Sequence, residues 1–398
     1  MINFQDAVIK ILKNTQVLST TKIQVEESVG HILAEDIYSK INMPPFNKSA
    51  MDGYALKAGD ITKNTAKLRC IGTIQAGKSF NKCVKAGQCV KIMTGAAIPK
   101  GADSVIMVED TRFVNDSVEI LSFVKEGQNI CVKGEDIRKN QKVIKKGIKI
   151  SISDIALLAS VGKQFIKVVR KPTAAFFNTG DEILPVTEKL TKNKIYNSNG
   201  PQLTALLKSR GIKADFLGII KDNPRYLRQA IMEGLKYDLL LISGGVSMGD
   251  YDLIPKVLKG SGVKEVFHNI RIKPGKPLFF GVHEKTIIFG IPGNPVSSFT
   301  IFILFVQMAI YKMMGYQKCK PEFEKGILEK GFQHKTGRKH FVPVKVVKKK
   351  SQYYLNTVNS NGSADIVSLS TADGFMAVEE DVPYVKSKSK VNFILWEK

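Results

Sequence analysis

The chain has 398 residues, more than one hydrophobic core usually supports, so about two to four domains are expected. With 43% hydrophobic and 24% charged residues it has the composition of a soluble globular protein, but the net charge of +24 predicts anionic partners. Five cysteines without a Cys-x-x-Cys pair and five scattered histidines argue against a disulfide framework or a zinc ribbon and indicate a reducing, cytoplasmic environment.

The first fifty residues predict mainly helix, followed by a loop with an exposed acid. Apolar residues at helical spacing predict a helix over residues 3–18, and a second helix is expected from Glu26 after a short strand. Two prolines at 44–45 mark a boundary, because proline cannot continue a helix. Asp52 precedes Gly53 in a tight-turn pair, so its carboxylate either faces a ligand or only caps its own turn.

Residues 55–135 predict short β-strands, because small apolar runs alternate with glycine-containing turns. Thr94 stands where one strand opens into a loop, and its hydroxyl either faces a ligand or closes the turn. Asp136 comes later, in one turn with Glu135 and Arg138. These three charges form either part of a site or a surface ion pair.

The alternation of strand, loop and helix from 172 to 314 predicts a doubly wound, mostly parallel sheet. Strands are expected at 173–177, 214–220, 239–242, 263–267 and 286–291. The central run is apolar enough for a strand buried on both faces, and it leads into a Ser-Gly-Gly turn and then to Asp250 and Asp252. Ligands bind beyond the carboxyl ends of such strands, so a site is expected here, although the glycines alone could serve only the turn.

Three more loops follow strands of this region. Residues 178–182 leave one strand and end in Glu182. Lys273 and Lys276 flank a proline-stiffened turn, which presents them as point charges suited to an oxyanion. The Pro-Gly-Asn-Pro turn at 292–295 begins a helix, whose free N–H donors make a general anion site.

The segment 296–314 is apolar enough to raise the question of a membrane span. It contains Gln307 and Lys312, however, and barely reaches the ~20 residues that a span needs. A helix in a core or in a dimer interface is the better interpretation, and no membrane partner is expected.

Beyond this segment, alternating runs at 341–347 and 352–355 predict a smaller β-domain.

Eight motifs of this chain resemble those of the molybdopterin molybdenumtransferases, the MoeA family, which also includes the E-domain of gephyrin. They are PPFNKSAMDGYA (44–55), TGAAIPKGAD (94–103), GEDI (134–137), TGDEI (179–183), GGVSMGDYD (244–252), KPGKP (273–277), PGNPVS (292–297) and GSADIVSLSTADG (362–374). They follow the family order over nearly the whole chain. Asn140 departs from the glycine that family members often carry, but asparagine tolerates a left-handed backbone, so the fold should survive.

The resemblance implies four domains and a head-to-tail homodimer. The domains are an elongated discontinuous one (1–43 and 139–170), an inserted β-rich one (44–138), an α/β molybdopterin-binding one (171–318) and a C-terminal β-domain (319–398). The implied active cleft lies between the α/β domain of one subunit and the inserted domain of the other. A transient contact with the molybdopterin adenylyltransferase is also expected.

The implied reaction joins molybdate to adenylylated molybdopterin and releases AMP, the final step of molybdenum cofactor biosynthesis. The catalytic candidates are Asp52, Thr94, Asp136, Glu182, Asp250 and Asp252. The candidates for binding the pterin adenylate are Ser243, Gly244, Gly245, Ser247, Pro292, Gly293 and Asn294. The candidates for binding molybdate are Lys273, Lys276, Arg338 and Ser363. Mg²⁺ is the expected cofactor, and its candidate ligands are Asp136, Glu182 and Asp252.

Two other classes of protein compete with this interpretation. A non-catalytic scaffold or binding protein on the same fold could lose the carboxylates, but all of them are present. A nucleic-acid binder would explain the net charge of +24, but no interleaving of aromatic and basic residues supports it, so no nucleic-acid partner is expected. Molybdate and tungstate match in charge and shape, so both stay candidate substrates.

Overall fold

The computed structural model describes residues 1–62, 65–247 and 253–396. The chain separates into two compact units, one of residues 22–167 and one that combines residues 1–21 with residues 168–398. The second unit contains the α/β and C-terminal regions. The four predicted domain boundaries are finer than this division and stay predictions.

A six-stranded sheet organises the second unit. Its strands lie in the order Ala214–Ile220, Ala174–Thr179, Leu239–Ser243, Thr286–Ile291, Phe279–His283 and Lys264–His268. The first four pair in parallel, and the last two join the edge by antiparallel pairing. The carboxyl ends of the four parallel strands therefore lie along one edge of the sheet.

Helices cover both faces of this sheet, because alternate residues of its buried strands point to opposite sides. Leu239 and Leu241 face one core, whereas Leu240 and Ile242 face the other. The covering helices are Asn199–Ser209 and Pro295–Ile301 on the first face and Pro224–Gly234 and Ile254–Gly260 on the second. The predicted doubly wound sheet is confirmed.

The apolar segment near residue 300 is a helix inside this unit. It runs as Pro295–Ile301, a π-helical turn over Phe302–Val306, and Gln307–Met313. Within the described chain it is the one helix long and apolar enough to cross a membrane, and 78% of its most apolar window is buried in the protein. This burial agrees with the core alternative and leaves little apolar surface for a dimer interface.

The first helix of the chain, Phe4–Asn14, packs on this long helix and on the C-terminal strands. The ring centroid of Phe4 lies 5.4 Å from that of Phe305 and 5.6 Å from that of Phe341. The start of the chain, the α/β region and the C-terminal region therefore share one hydrophobic core.

The C-terminal region is a six-stranded sheet, five of whose strands close into a barrel. In order, the strands are Ile272–Lys273, Lys339–Lys349, Gln352–Thr357, Glu324–Leu328, Lys390–Leu395 and Gly374–Val378, and the second also pairs with the last. The short helix Ile366–Thr371 and two small pairs, Ile183–Leu184 with Ile195–Tyr196 and Phe332–Gln333 with Tyr384–Val385, complete the unit. The first strand of this sheet is part of the loop that carries Lys273 and Lys276, and its parallel pairing with the second strand sets Lys273 opposite His340.

Residues 22–167 are built around a third six-stranded sheet, as predicted for the β-rich stretch. Its strands lie in the order Ser104–Met107, Gly53–Leu56, Gln88–Ile92, Ala66–Ile74, Ser117–Ile120 and Thr111–Val114. The other elements are the pairs Ile37–Tyr38 with Lys142–Ile144 and Lys48–Ser49 with Ile130–Cys131, and the helix Ile152–Ser160. The strands Thr20–Gln24 and Phe165–Val169 run across the two ends of this unit. Asn140 has a left-handed φ of 68°, a backbone conformation that asparagine tolerates better than most residues.

The prediction of a helix from Glu26 is wrong. Val25–Glu27 makes a single 3₁₀ turn. Ser28 closes this turn, because its backbone N–H and its hydroxyl donate to the carbonyl oxygen of Val25 at 3.1 and 2.6 Å. Gly30 follows with a left-handed φ of 82°, which ends helical geometry.

Candidate functional site

Two glycine turns meet at the carboxyl ends of neighbouring parallel strands. Gly244 has a left-handed φ of 102°, and a Cβ on it would lie 2.2 Å from the carbonyl oxygen of Thr179, so only glycine fits. Gly293 follows the next strand, and its Cβ would touch the Cα of Gly244 at 3.7 Å. The structure therefore brings together Ser243, Gly244 and Gly245 with Pro292 and Gly293, and their role in binding the pterin adenylate stays a prediction.

The loop beyond the first turn is described only in part. Ser247 is exposed and is the last described residue of this loop before the gap. The two acids predicted for this loop, Asp250 and Asp252, lie outside the described residues.

Asn199 ties the two turns together. Its side-chain amide donates to the hydroxyl of Ser243 at 2.8 Å and to the carbonyl oxygen of Gly293 at 2.7 Å. Asn199 is buried, and within the described structure its Oδ1 has no hydrogen-bond partner. Sequence reasoning did not assign it a role. The signal was an Asn-Ser-Asn run at 197–199, directly at the start of a helix.

A cavity of about 620 Å³ lies where this sheet edge meets the C-terminal barrel. All four predicted oxyanion-binding residues line this cavity, namely Lys273, Lys276, Arg338 and Ser363. Asn294 lines it as well. The two lysines come from the α/β region, and the other two come from the C-terminal region. No aspartate or glutamate is among the described residues that line the cavity, so its walls favour anions.

Asn294 and Ser363 join the two walls of this cavity. The side-chain amide of Asn294 donates to the Ser363 hydroxyl oxygen at 2.8 Å, and the backbone N–H of Val296 donates to the Ser363 carbonyl oxygen at 3.1 Å. Because the Ser363 oxygen accepts from Asn294, its own O–H is left to donate to a ligand. Asp365 fixes this loop by accepting from the N–H groups of Asn361 and Ser368, and these bonds lower the pKa of Asp365.

His340 belongs to the same cavity wall and was not predicted. Burial, followed by the neighbouring Lys273, His334 and Arg338 side chains, lowers the pKa of His340 to about 3. Its imidazole is therefore neutral at physiological pH. The positive charge of the cavity comes from Lys273, Lys276 and Arg338 alone among its described lining residues.

A second, larger cavity of about 1180 Å³ opens at the exits of the strands Ala174–Thr179 and Ala214–Ile220. Its apolar walls include Leu184, Val186 and Phe216, and its basic residues include Lys194, Lys208 and Lys221. Asp181 and Glu188 also line it, so its charged groups are of both signs. The sequence gives no sign of this cavity, because its walls come from separate loops.

Asp52 and Thr94 form a pair within residues 22–167. Thr94 donates to Oδ1 of Asp52 from its backbone N–H at 2.6 Å and from its hydroxyl at 2.7 Å. The backbone bond and then the hydroxyl bond lower the pKa of Asp52, which stays ionised and exposed. Asp52 therefore binds a distant loop as well as standing in its own turn, and the two predicted catalytic residues lie together.

The predicted metal ligands are not assembled in the described chain. Asp136 is exposed in the unit of residues 22–167, and its backbone N–H donates to the carbonyl oxygen of Met43 at 3.0 Å. Glu182 is exposed in the other unit, with its carboxylate folded over Gly180, where an added Cβ would lie 2.6 Å from Oε2. The third ligand, Asp252, is undescribed. Among the described residues, no group of three or more His, Cys, Asp or Glu side chains could hold a metal ion.

Comparison with protein families divides the chain into three consecutive regions. Residues 2–162 match the MoeA N-terminal region (domain I and II), and residues 175–312 match a probable molybdopterin binding domain. Residues 325–396 match the MoeA C-terminal region (domain IV).

Relatives align with the chain over its whole length. A molybdopterin molybdenumtransferase from Staphylococcus epidermidis is 33% identical over 401 residues, which cover 100% of this chain and 96% of the relative. The Staphylococcus aureus protein of the same name is 31% identical over the same shares. A crystal structure of the molybdopterin biosynthesis MoeA protein from Pyrococcus horikosii superposes with a TM-score of 0.85 and 30% identity, with 100% of both chains covered. The sequence and the fold agree along the entire chain, and the chain belongs to the MoeA family.

Proposed function

We propose that this protein inserts molybdenum into adenylylated molybdopterin, using molybdate and releasing AMP, as a molybdopterin molybdenumtransferase. The observation that carries the proposal is the cavity in which two lysines, Arg338 and Ser363 converge beside the turn at 292–295. A small dianion needs concentrated positive charge and directional donors, and these residues supply both. The full-length relatives named for this activity support the same conclusion.

The pterin adenylate is proposed to lie along the two glycine turns. Gly244 and Gly293 lack side chains where these turns meet, so a phosphate can approach the backbone closely. Asn199 keeps the turns at a fixed separation through its two hydrogen bonds. The oxyanion cavity adjoins this surface at Asn294, so the protein acts mainly by holding molybdate next to the bound pterin.

Mg²⁺ is proposed as the cofactor. Proteins usually hold this ion with one or two carboxylates, while waters and substrate phosphates complete the coordination. Glu182 fits this role, because it is exposed and stands three residues beyond Thr179 at the glycine turns. Asp136 and Asp252 are the other proposed ligands. When bound, the ion would neutralise the charge that develops on the departing AMP phosphate.

A homodimer is proposed in which Asp52 and Thr94 of one subunit serve the glycine turns of the other. Residues 22–167 expose large apolar side chains, among them Ile152 at 81% and Val132 at 52%, and such side chains are candidates for burial between subunits.

A transient contact with the molybdopterin adenylyltransferase is proposed as the route by which the adenylylated substrate arrives. A non-catalytic scaffold on the same fold is not favoured, because it has no need of a cavity whose described lining residues include three basic side chains and no acid.

The test is AMP release from pterin adenylate by the purified protein. We expect release to require both molybdate and Mg²⁺ and to accompany formation of a cofactor that activates a cofactor-free molybdenum enzyme. Mass spectrometry of small molecules that copurify with the protein should find pterin adenylate or AMP. Substrate that binds but yields no AMP when molybdate is added would contradict the proposal.

A further inference from the structure

His340 is a polar side chain of the oxyanion cavity to which the proposed function gives no task. It lines the cavity and lies opposite Lys273 in the parallel pairing of their strands. It also stands two residues beyond Arg338, which lines the same wall. The imidazole is thus placed among the residues that would surround an oxyanion.

The surroundings of the ring decide which nitrogen carries its proton. Nδ1 of His340 is buried and has no hydrogen-bond partner in the described structure. A proton on Nδ1 would be a buried N–H without an acceptor, which is costly and rare. We therefore assign the proton to Nε2, which makes the ring a donor at that atom. The low pKa of His340, about 3, agrees with a neutral ring of this kind.

A second histidine packs against the ring. His334 is 4% exposed, and its ring centroid lies 5.3 Å from that of His340, with 38° between the ring planes. Nδ1 of His334 lies 2.8 Å from the carbonyl oxygen of Val382, which fixes the orientation of His334. The Phe332 ring, 5.8 Å from that of His340, packs against it as well. These contacts restrict rotation of the imidazole.

We propose that His340 is a further oxyanion-binding residue of this cavity, which donates one hydrogen bond from Nε2 to the bound oxyanion, and that His334 is its positioning residue. The proposal rests on the proposed function, because the oxyanion in question is the substrate molybdate. The neutral His340 imidazole would add a directed hydrogen bond to the oxyanion. It would not add a fourth positive charge beside Lys273, Lys276 and Arg338.

Three substitutions at one position separate a hydrogen bond from packing. His340→Phe keeps a ring among Phe332 and His334 but removes both nitrogens. His340→Gln places its amide nitrogen near the position of Nε2, whereas His340→Asn places it near that of Nδ1. We expect His340→Phe and His340→Asn to raise the KM for molybdate about ten- to a hundred-fold, as for the loss of a hydrogen bond to a charged group. His340→Gln should stay within about threefold of the wild type on the same grounds.

The measurements are steady-state kinetics at varied molybdate and calorimetric titration of the full-length protein with molybdate alone. The kcat at saturating molybdate and the binding of pterin adenylate should change little in all three variants. His283→Gln, on a strand that does not line the cavity, is the matched control and should behave as the wild type.

Equal molybdate affinity in the Gln and Asn variants would overturn the proposal, and so would an unchanged affinity in a folded His340→Phe protein. If His340→Phe does not fold, the Gln and Asn pair still decides the question. A failure of the proposed function would be distinguished by the wild-type protein. That protein would then neither bind molybdate nor release AMP when molybdate is added.

Discussion

The side-chain amide of Asn294 donates a 2.8 Å hydrogen bond to the hydroxyl oxygen of Ser363, across the seam between the α/β sheet and the C-terminal barrel. This bond orients the Ser363 O–H toward a ligand, so the two residues should act as a unit. We expect Asn294→Ala and Ser363→Ala each to raise the KM for molybdate, and the double variant to be little worse than either, with a coupling of about 1 kcal/mol. A double-mutant cycle on the molybdate dependence measures this, and strictly additive effects would show that the two residues act independently.

Arg338→Lys keeps the positive charge in the cavity but removes the planar fork of the guanidinium. Two directed bonds to one oxyanion need that fork, whereas a solvated surface charge does not. We expect molybdate use to weaken about ten- to a hundred-fold while pterin adenylate binding stays nearly intact. Steady-state kinetics at varied molybdate measure the effect.

The control for this variant is Arg112→Lys, because Arg112 is exposed on a strand of the other unit. It should leave the molybdate dependence unchanged. If Arg338→Lys behaves like this control, the C-terminal region does not hold the oxyanion.

Asp52→Ala and Asp252→Ala should each abolish turnover while the pterin adenylate still binds, because both carboxylates are proposed to act on the reaction and not on substrate affinity. In the proposed homodimer, the two residues of one active cleft come from different subunits. Mixing the two inactive variants should therefore restore part of the activity through hybrid dimers. Subunit exchange verified by mass spectrometry, without any recovery, would mean that each cleft is built within one chain.

Asp238 anchors the start of the central strand by accepting from Arg170 at 2.6 and 2.7 Å and from the N–H and hydroxyl of Thr173. Burial raises the pKa of Asp238, but these donors lower it by more, so the net pKa lies below the ordinary 3.8. We expect Asp238→Asn to lower the free energy of unfolding at pH 7 by about 1–2 kcal/mol, at the low end because Arg170 is a third exposed.

The pH dependence of this effect has a definite sign. A carboxylate with a lowered pKa in the folded state stabilises the protein above its unfolded pKa, and it loses that contribution as the pH falls through the folded value. The difference between wild type and Asp238→Asn should therefore shrink below about pH 4. Urea unfolding at several pH values checks this, and a constant difference down to pH 3 would contradict it.

Much of the fold could be predicted because buried parallel strands have a simple pattern. The strands Ala214–Ile220 and Thr286–Ile291 have the predicted bounds, since apolar runs between turn residues leave few alternatives. The helix predicted from Glu26 fails for a local reason, because Ser28 closes the chain into one 3₁₀ turn. A side-chain bond of this kind competes with helix formation and is not visible in apolar spacing.

The candidate site likewise has residues that sequence motifs reveal and residues that only tertiary contacts reveal. Lys273 and Arg338 could be assigned to one pocket from their motifs, but the parallel pairing that brings their loops together depends on tertiary structure. Asn199 was missed because its bonds reach Ser243 and Gly293, which are distant in sequence. His340 was missed because one exposed-looking histidine in a basic run carries no periodic signal.

The contact of Phe4 with Phe341 has a consequence for the order in which the protein is made. A chain emerges from the ribosome N-terminus first, and domains fold as units during synthesis. The helix Phe4–Asn14 therefore leaves the ribosome long before the barrel strand that covers it. Residues 22–167 are contiguous and can fold in the meantime. Until Phe341 is made, the apolar face of the helix is covered at most in part, by the segment that carries Phe305. A nascent chain stalled before Phe341 should therefore be the form that chaperones bind and proteases cut first.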